Sequence, residues 1–206
     1  MIITIWNAIG AASDQIVAIS TAIMAIFAFL GLKAWREQIR GAADYEKAKQ
    51  ILRAVYKVRE MFKYVRSAGV YEYEYPPEMK DSSGHLKSEF DYEGNLHVYT
   101  ERLKKFDPAF SELEELAIDA QVHWGAEYQE IIKQMRGRRI DLLIALQGFL
   151  DSKKAGGYRR LSPEESQDIH YKMYYIGEDS KHDPFTKQIN AAVKLFEDKL
   201  CSIIGR

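Results

Sequence analysis

Between Ile16 and Leu32 the chain runs IVAISTAIMAIFAFLGL, seventeen residues with no charged side chain and only Ser20 and Thr21 polar. At 1.5 Å per residue such a helix is about 25 Å long, close to the hydrocarbon thickness of a bilayer, so the segment reads as a transmembrane helix. All 29 Lys and Arg residues lie at or beyond Lys33, and the only charged side chain before it is Asp14. A cleaved signal peptide carries its cations ahead of the apolar run, which is the opposite arrangement. Trp35 with Lys33, Arg36 and Arg40 supplies an interface anchor. Cations confined to the later side place that side in the cytoplasm, with Met1 outside. Residues 1–15 then form a short outer flank, where Ile2, Ile5, Trp6 and Ile9 repeat at helical spacing. Residues 16–32 form the span and 33–206 a cytoplasmic helical domain.

The span carries a second pattern. Ala18, Thr21, Ala25 and Ala28 follow alternating three- and four-residue spacing along one face, with Ile19, Ile23, Ile26 and Leu30 roughly opposite. Water cannot drive association inside lipid, so packing must, and small residues let backbones approach closely. This face predicts a homo-oligomer. Should the oligomer enclose a pore, Asp14 of each copy rings its outer mouth and Ser20 or Thr21 stands nearer the lumen.

Beyond Trp35 the helical signal runs to Ser67 without a proline. Ala48, Ile51, Val55, Val58, Phe62 and Val65 keep heptad spacing, Tyr45 and Leu52 widen the stripe, and Gly41 is the one candidate hinge. From Ser67 to Asn95 the period changes. Tyr71, Tyr73 and Tyr75 alternate with Glu72 and Glu74 ahead of Pro76 and Pro77, which predicts an extended, loop-borne arm with its tyrosines on one face. Leu96, Tyr99, Leu103 and Phe106 resume the helix, and Asp107 with Pro108 reads as the start of a new one. Its stripe runs through Phe110, Leu113, Ala117, Ala120, Trp124, Tyr128, Ile131 and Met135. Ile140, Leu143, Leu146 and Leu150 extend it toward Gly156 and Gly157, with Gly137 as a possible division. Ser162, Pro163 and Glu165 make a capping box, and Asp183 with Pro184 caps a last helix with Ile189, Ala192, Val193, Phe196, Leu200 and Ile203 inward. The expected fold class is all-α: one N-terminal transmembrane helix followed by an antiparallel cytoplasmic bundle of about five helices.

Composition narrows the function classes. The chain has 29 basic and 30 acidic side chains, and setting Asp14 aside leaves 29 of each after Leu32. That balance offers no excess cation to neutralise a phosphate backbone, which argues against nucleic acid as a partner. Cys201 is the only cysteine. It excludes an intrachain disulfide and reads as a packing residue in a reducing compartment. Asp119, His123 and Glu127 stand four apart, as ligands on one helical face do, but a solvated stripe is the commoner origin of that spacing, and no metal is expected there. A cleft near His123, Glu127 and Tyr128 is the place an unrecognised enzyme would work. No G-x-S-x-G elbow, G-x-x-x-x-G-K or G-x-G-x-x-G loop occurs, so neither an active site nor a cofactor is expected. Arg136, Arg138 and Arg139 form one basic run. Lys153, Lys154, Arg159 and Arg160 form a patch suited to anionic headgroups if it faces a membrane.

Three stretches carry a resemblance. AWREQIRGAADYEKAKQILRAVYKVREMF, VHWGAEYQEIIKQMRGR and DPFTKQINAAVKLFEDKL resemble blocks recurring in uncharacterised bacterial inner-membrane proteins with one N-terminal span and a cytosolic helical domain. The resemblance implies topology and a bacterial inner-membrane location, without an activity. By architecture the chain also resembles membrane-anchored helical accessory proteins of RNA-targeting CRISPR systems, which assemble as pores in antiviral defence. Those are related to helical ribonucleases whose signature places a histidine four to six residues after an arginine. Here Arg160 and His170 are ten apart, and no histidine meets that spacing. The resulting expectation is a non-enzymatic, self-associating inner-membrane protein that meets the lipid bilayer through its span and a protein partner or its own copies through the helical domain. An antiphage pore and a membrane-tethered enzyme are the alternatives.

Overall fold

A computed structural model describes residues 2–154, 161–178 and 180–205, with the side chains of residues 2–15 and 18 excepted. Among the described residues there are five α-helices and no extended strand: α1 (Ile2–Val65), α2 (Asp91–Trp124), α3 (Glu127–Lys153), α4 (Pro163–Met173) and α5 (Pro184–Ile204). The chain divides into two units, residues 1–46 and 47–205, and α1 contributes to both. In the first unit α1 runs through Gly41 without a break.

In the second unit the direction of each helix follows from its cross-links. Lys47 meets Asp119 at 3.5 Å, Lys57 meets Glu112 at 2.7 Å and Lys105 donates to the Tyr64 hydroxyl at 3.0 Å, so α2 descends as α1 climbs. Arg136 with Glu114, Arg139 with Asp107 and Lys153 with Asp91 set α3 antiparallel to α2 in the same way. Tyr56 with Glu197 and Arg66 with Thr186 set α5 against α1, while Lys199 with Glu127 sets it against α3. The result is an up-down-up-down four-helix bundle, with α4 as an added short helix between α3 and α5. Its core holds the expected Ala48, Ile51, Val55, Val58, Phe62 and Val65 of α1 and Ile189, Ala192, Val193, Phe196 and Leu200 of α5. Phe62 packs edge-on against Phe106 at 5.0 Å and Phe185 at 6.4 Å, and so joins three helices.

Several boundaries depart from expectation. No helix starts at Asp107: Pro108 lies inside α2. The Asp107 carboxylate accepts from Arg139 at 3.0 Å instead of capping, and Phe106, Ala109 and Phe110 are all buried. Burying those side chains on both sides of the proline offsets the roughly 3 kcal/mol that an interior proline costs. The break comes at Gly125, whose φ of 110° is left-handed backbone that glycine adopts without strain. Gly137 stays helical within α3. The buried stripe of α3 is Ile132, Met135, Leu142, Ala145, Leu146 and Leu150, leaving Ile140 exposed. In the first half of α2 it includes Asn95, Val98, Tyr99, Arg102 and Phe106, leaving Leu96 exposed. Tyr45 is exposed whereas Leu52 is buried, and Cys201 is exposed rather than packed. Gly156 and Gly157 lie outside the described residues.

One buried ion pair ties three helix ends together. Arg66 follows the last residue of α1 and is fully buried with Asp183. Its Nε donates to the Lys172 carbonyl at 2.8 Å and Nη1 to Thr186 Oγ1 at 2.7 Å. Its Nη2 donates to the Tyr171 and Tyr174 carbonyls, both at 3.0 Å, and to Asp183 Oδ1 at 2.7 Å. The cation thus satisfies orphan carbonyls at the C-terminus of α4, while Asp183 caps the N-terminus of α5 by accepting from the Thr186 N–H at 2.9 Å. The Ser162 capping box starts α4 as expected: Ser162 Oγ accepts from the Glu165 N–H at 3.1 Å, and the Glu165 carboxylate accepts from the Ser162 N–H at 2.9 Å.

Arg66→Leu should destabilise the second unit by about 3–5 kcal/mol in urea unfolding, because it strands a buried carboxylate. Burial alone raises the Asp183 carboxyl. The N–H groups of Ile176 and Thr186, the Thr186 hydroxyl and Arg66 outweigh it and hold the group below the usual carboxylate range. A lowered native pKa means the pair's contribution is complete above the ordinary value of 3.8 and is lost as pH falls through the native one. Wild type should therefore lose stability more steeply than Asp183→Asn as the pH is taken below that value.

Candidate functional site

The apolar segment of α1 is the outstanding surface feature. Ile16, Val17, Ile19, Ile23, Met24, Ile26, Phe27, Phe29, Leu30 and Leu32 all stand exposed, from 44% at Leu32 to 69% at Phe27 and Phe29. The helix is long and apolar enough to cross a membrane, with none of that stretch buried. At 1.5–3 kcal/mol for a fully exposed side chain, leaving these ten partly exposed ones in water rather than in an apolar medium costs about 9–18 kcal/mol. A whole domain is typically stable by only about 5–15 kcal/mol.

Thr21, Ala25 and Ala28 are exposed on this helix; the side chain of Ala18 and those of the 2–15 flank, Asp14 included, lie outside the described residues. The Thr21 hydroxyl donates to the Val17 carbonyl at 2.8 Å, so its polar group is satisfied within its own helix. Past the apolar stretch, Trp35 is 59% exposed, Lys33 approaches Glu37 at 4.0 Å, and Arg36 and Arg40 are exposed.

The other sequence candidates are dispersed by the fold. Asp119 and His123 belong to α2, but Gly125 ends that helix and puts Glu127 on α3, so the three do not share one helical face. Asp119 pairs with Lys47, Glu127 with Lys199 at 2.6 Å, and the His123 ring stands 6.0 Å from Trp124. Tyr128 is buried against Trp124, at 5.2 Å between rings. Among the described residues no three His, Cys, Asp or Glu side chains are grouped to hold a metal. Arg136, Arg138 and Arg139 pair with Glu114, Asp141 and Asp107 respectively, as struts between or along helices. Lys153 and Lys154 pair with Asp91 and Asp151, and lie at the opposite end of the bundle from Lys47. Arg159 and Arg160 lie outside the described residues.

The tyrosine arm is a string of short helical turns at Glu72–Glu74, Pro77–Met79 and Ser88–Phe90 rather than an extended segment. Its tyrosines do not share a face. Tyr71 and Tyr73 stack outward at 5.4 Å, with Tyr73 80% exposed, whereas Tyr75 is half-buried. Arg102 holds the arm down. Its Nε and Nη2 each reach the Glu74 carboxylate at 2.8 Å, and it also donates to the Val65, Ser67 and Gly69 carbonyls. Burial raises the Glu74 carboxyl, but hydrogen bonding to Arg102 and to the Tyr71 N–H leaves it net lowered.

Arg66 and Arg102 were the polar residues that sequence reasoning missed. Arg66 stands four residues after the stripe position Phe62 and Arg102 three after Tyr99, and that spacing was the available signal. Glu74→Gln removes one charge from a charge-assisted pair worth about 1.5–3 kcal/mol. Amide exchange of residues 67–80 should then quicken by roughly 10- to 100-fold while that of α2 and α5 stays near wild type.

In comparisons with protein families, curated proteins and solved structures, nothing matches the chain.

Proposed function

We propose that the chain is a non-enzymatic, self-associating membrane protein: α1 spans a bacterial inner membrane over residues 16–32, and the second unit is an interaction module on the cytoplasmic side. The observation that carries this reading is the set of ten exposed apolar side chains between Ile16 and Leu32, whose desolvation hydrocarbon supplies. Trp35 and the Lys33, Arg36 and Arg40 cluster then lie at the inner headgroup level, and their position after the span favours a cytoplasmic second unit. Thr21, Ala25 and Ala28 leave a low surface against which another helix packs closely.

The non-enzymatic part rests on where the buried ionic groups are spent. Arg66 with Asp183 holds helix ends, and Arg102 with Glu74 holds the loop after α1. The donors of both arginines go to backbone carbonyls, to Thr186 and to their paired carboxylates.

Mass measurement of the full chain in nanodiscs should give a whole-number multiple of the protomer above one; a strict monomer overturns self-association. Protease added outside spheroplasts should leave the second unit intact, and its digestion there overturns the orientation.

A further inference from the structure

Part of α1 carries an apolar face in a place that lipid does not reach. Leu32 marks the end of the apolar stretch, and headgroups extend only about 5–8 Å beyond the hydrocarbon. Ile39 and Ala42 stand seven and ten residues further along a helix unbroken at Gly41, about 10 and 15 Å past Leu32 at 1.5 Å per residue. Ile39 is nevertheless 49% exposed, and Ala42 is exposed beside it.

The register of this face identifies its occupant. Thr21, Ala25 and Ala28 continue at the same alternating four- and three-residue spacing through Leu32, Trp35, Ile39 and Ala42, which makes three heptads of a and d positions. Lys33, Glu37, Arg40 and Asp44 follow a parallel stripe at b and f positions on the far side, with signs that alternate along the helix. Lys33 and Glu37 approach to 4.0 Å there, so the charged stripe is matched within its own helix. Past Leu32, where charge begins, Trp35, Ile39 and Ala42 keep the a and d positions uncharged, with Arg36 at e on their flank.

We infer that this face is a parallel coiled-coil seam, and that what covers it is α1 of a second copy of this chain. The inference rests on the membrane-anchored reading above. A second copy held by the same span presents Leu32, Trp35, Ile39 and Ala42 at the same height and in the same direction, which an unrelated soluble partner does not. The strict seven-residue repeat on a helix of 3.6 residues per turn gives the pair a left-handed supercoil. The seam crosses the inner headgroup level, and Trp35 sits at that crossing.

Single cysteines placed in the full-length Cys201→Ser chain, oxidised in native membranes, test this directly. Paired like residues at a seam bring Cβ atoms within disulfide range of about 4 Å, so Ile39→Cys and Ala42→Cys should form dimers at least about fivefold faster than Glu37→Cys, Arg40→Cys and Asp44→Cys. Equal rates, or a maximum on the charged side, overturn the seam. Cross-linking at Ala25→Cys without Ile39→Cys or Ala42→Cys overturns the aqueous extension and leaves self-association through the span standing. No cross-link at any position, with a monomeric mass, overturns both.

Discussion

A guanidinium buried to 0% exposure has to be satisfied completely, and the way Arg66 achieves this organises the bundle above Val65. Its donors go to three carbonyls around the end of α4, to Thr186 and to Asp183, so the end of α1, the end of α4 and the start of α5 are set by one side chain. The charges also run with the helix dipoles: a cation meets carbonyls at a C-terminus, and an anion meets N–H groups at an N-terminus. Charges taken out of water gain little net energy even when paired, so the contribution of such a pair is chiefly geometric, fixing one arrangement of helix ends over others. Arg102 repeats the device on the loop side. It ties the Val65 carbonyl that ends α1 and the Ser67 and Gly69 carbonyls of the loop to Glu74, and so stops residues 67–75 from peeling away.

Much of the second unit was legible in the sequence, and the reasons are specific. Ala48 to Val65 keep an uninterrupted repeat, and the Ser162 and Asp183 caps each accept from the N–H three residues on, so these elements fall where expected. Local signals failed where packing overrode them. Asp107 and Pro108 look like a helix start, but Arg139 takes the aspartate and the flanking phenylalanines hold the helix straight through. The apolar stripe runs on through Trp124 and Tyr128 on either side of Gly125, yet Gly125 is the residue that turns the chain. The tyrosines alternate in sequence, but Pro76 and Pro77 favour tight turns, and the pull of Arg102 on Glu74 sends Tyr75 to the other side from Tyr71 and Tyr73.

The candidate sites divide along the same line. Asp119, His123 and Glu127 were grouped by spacing alone, and spacing holds only while the helix does; Gly125 separates them. Arg66 and Arg102 went unread because arginine on an apolar stripe is ordinarily taken as a solvated edge, and only the partners, distant in sequence, reveal it as interior. The apolar segment needed no tertiary information. Its length and composition alone are those of a helix able to cross a membrane, and the fold leaves it bare. An interior polar framework that fixes the bundle, and an exposed apolar helix that the bundle does not cover, are therefore two separate physical problems within one chain.

The measurement that bears most directly on this account is the partition of the full-length protein after alkaline carbonate washing of membranes. Residues 16–32 immersed in hydrocarbon keep the protein in the pellet and make it float with lipid, since no charge pairing holds it there. Release into the aqueous fraction as a monodisperse species without any amphiphile would contradict the account at its root.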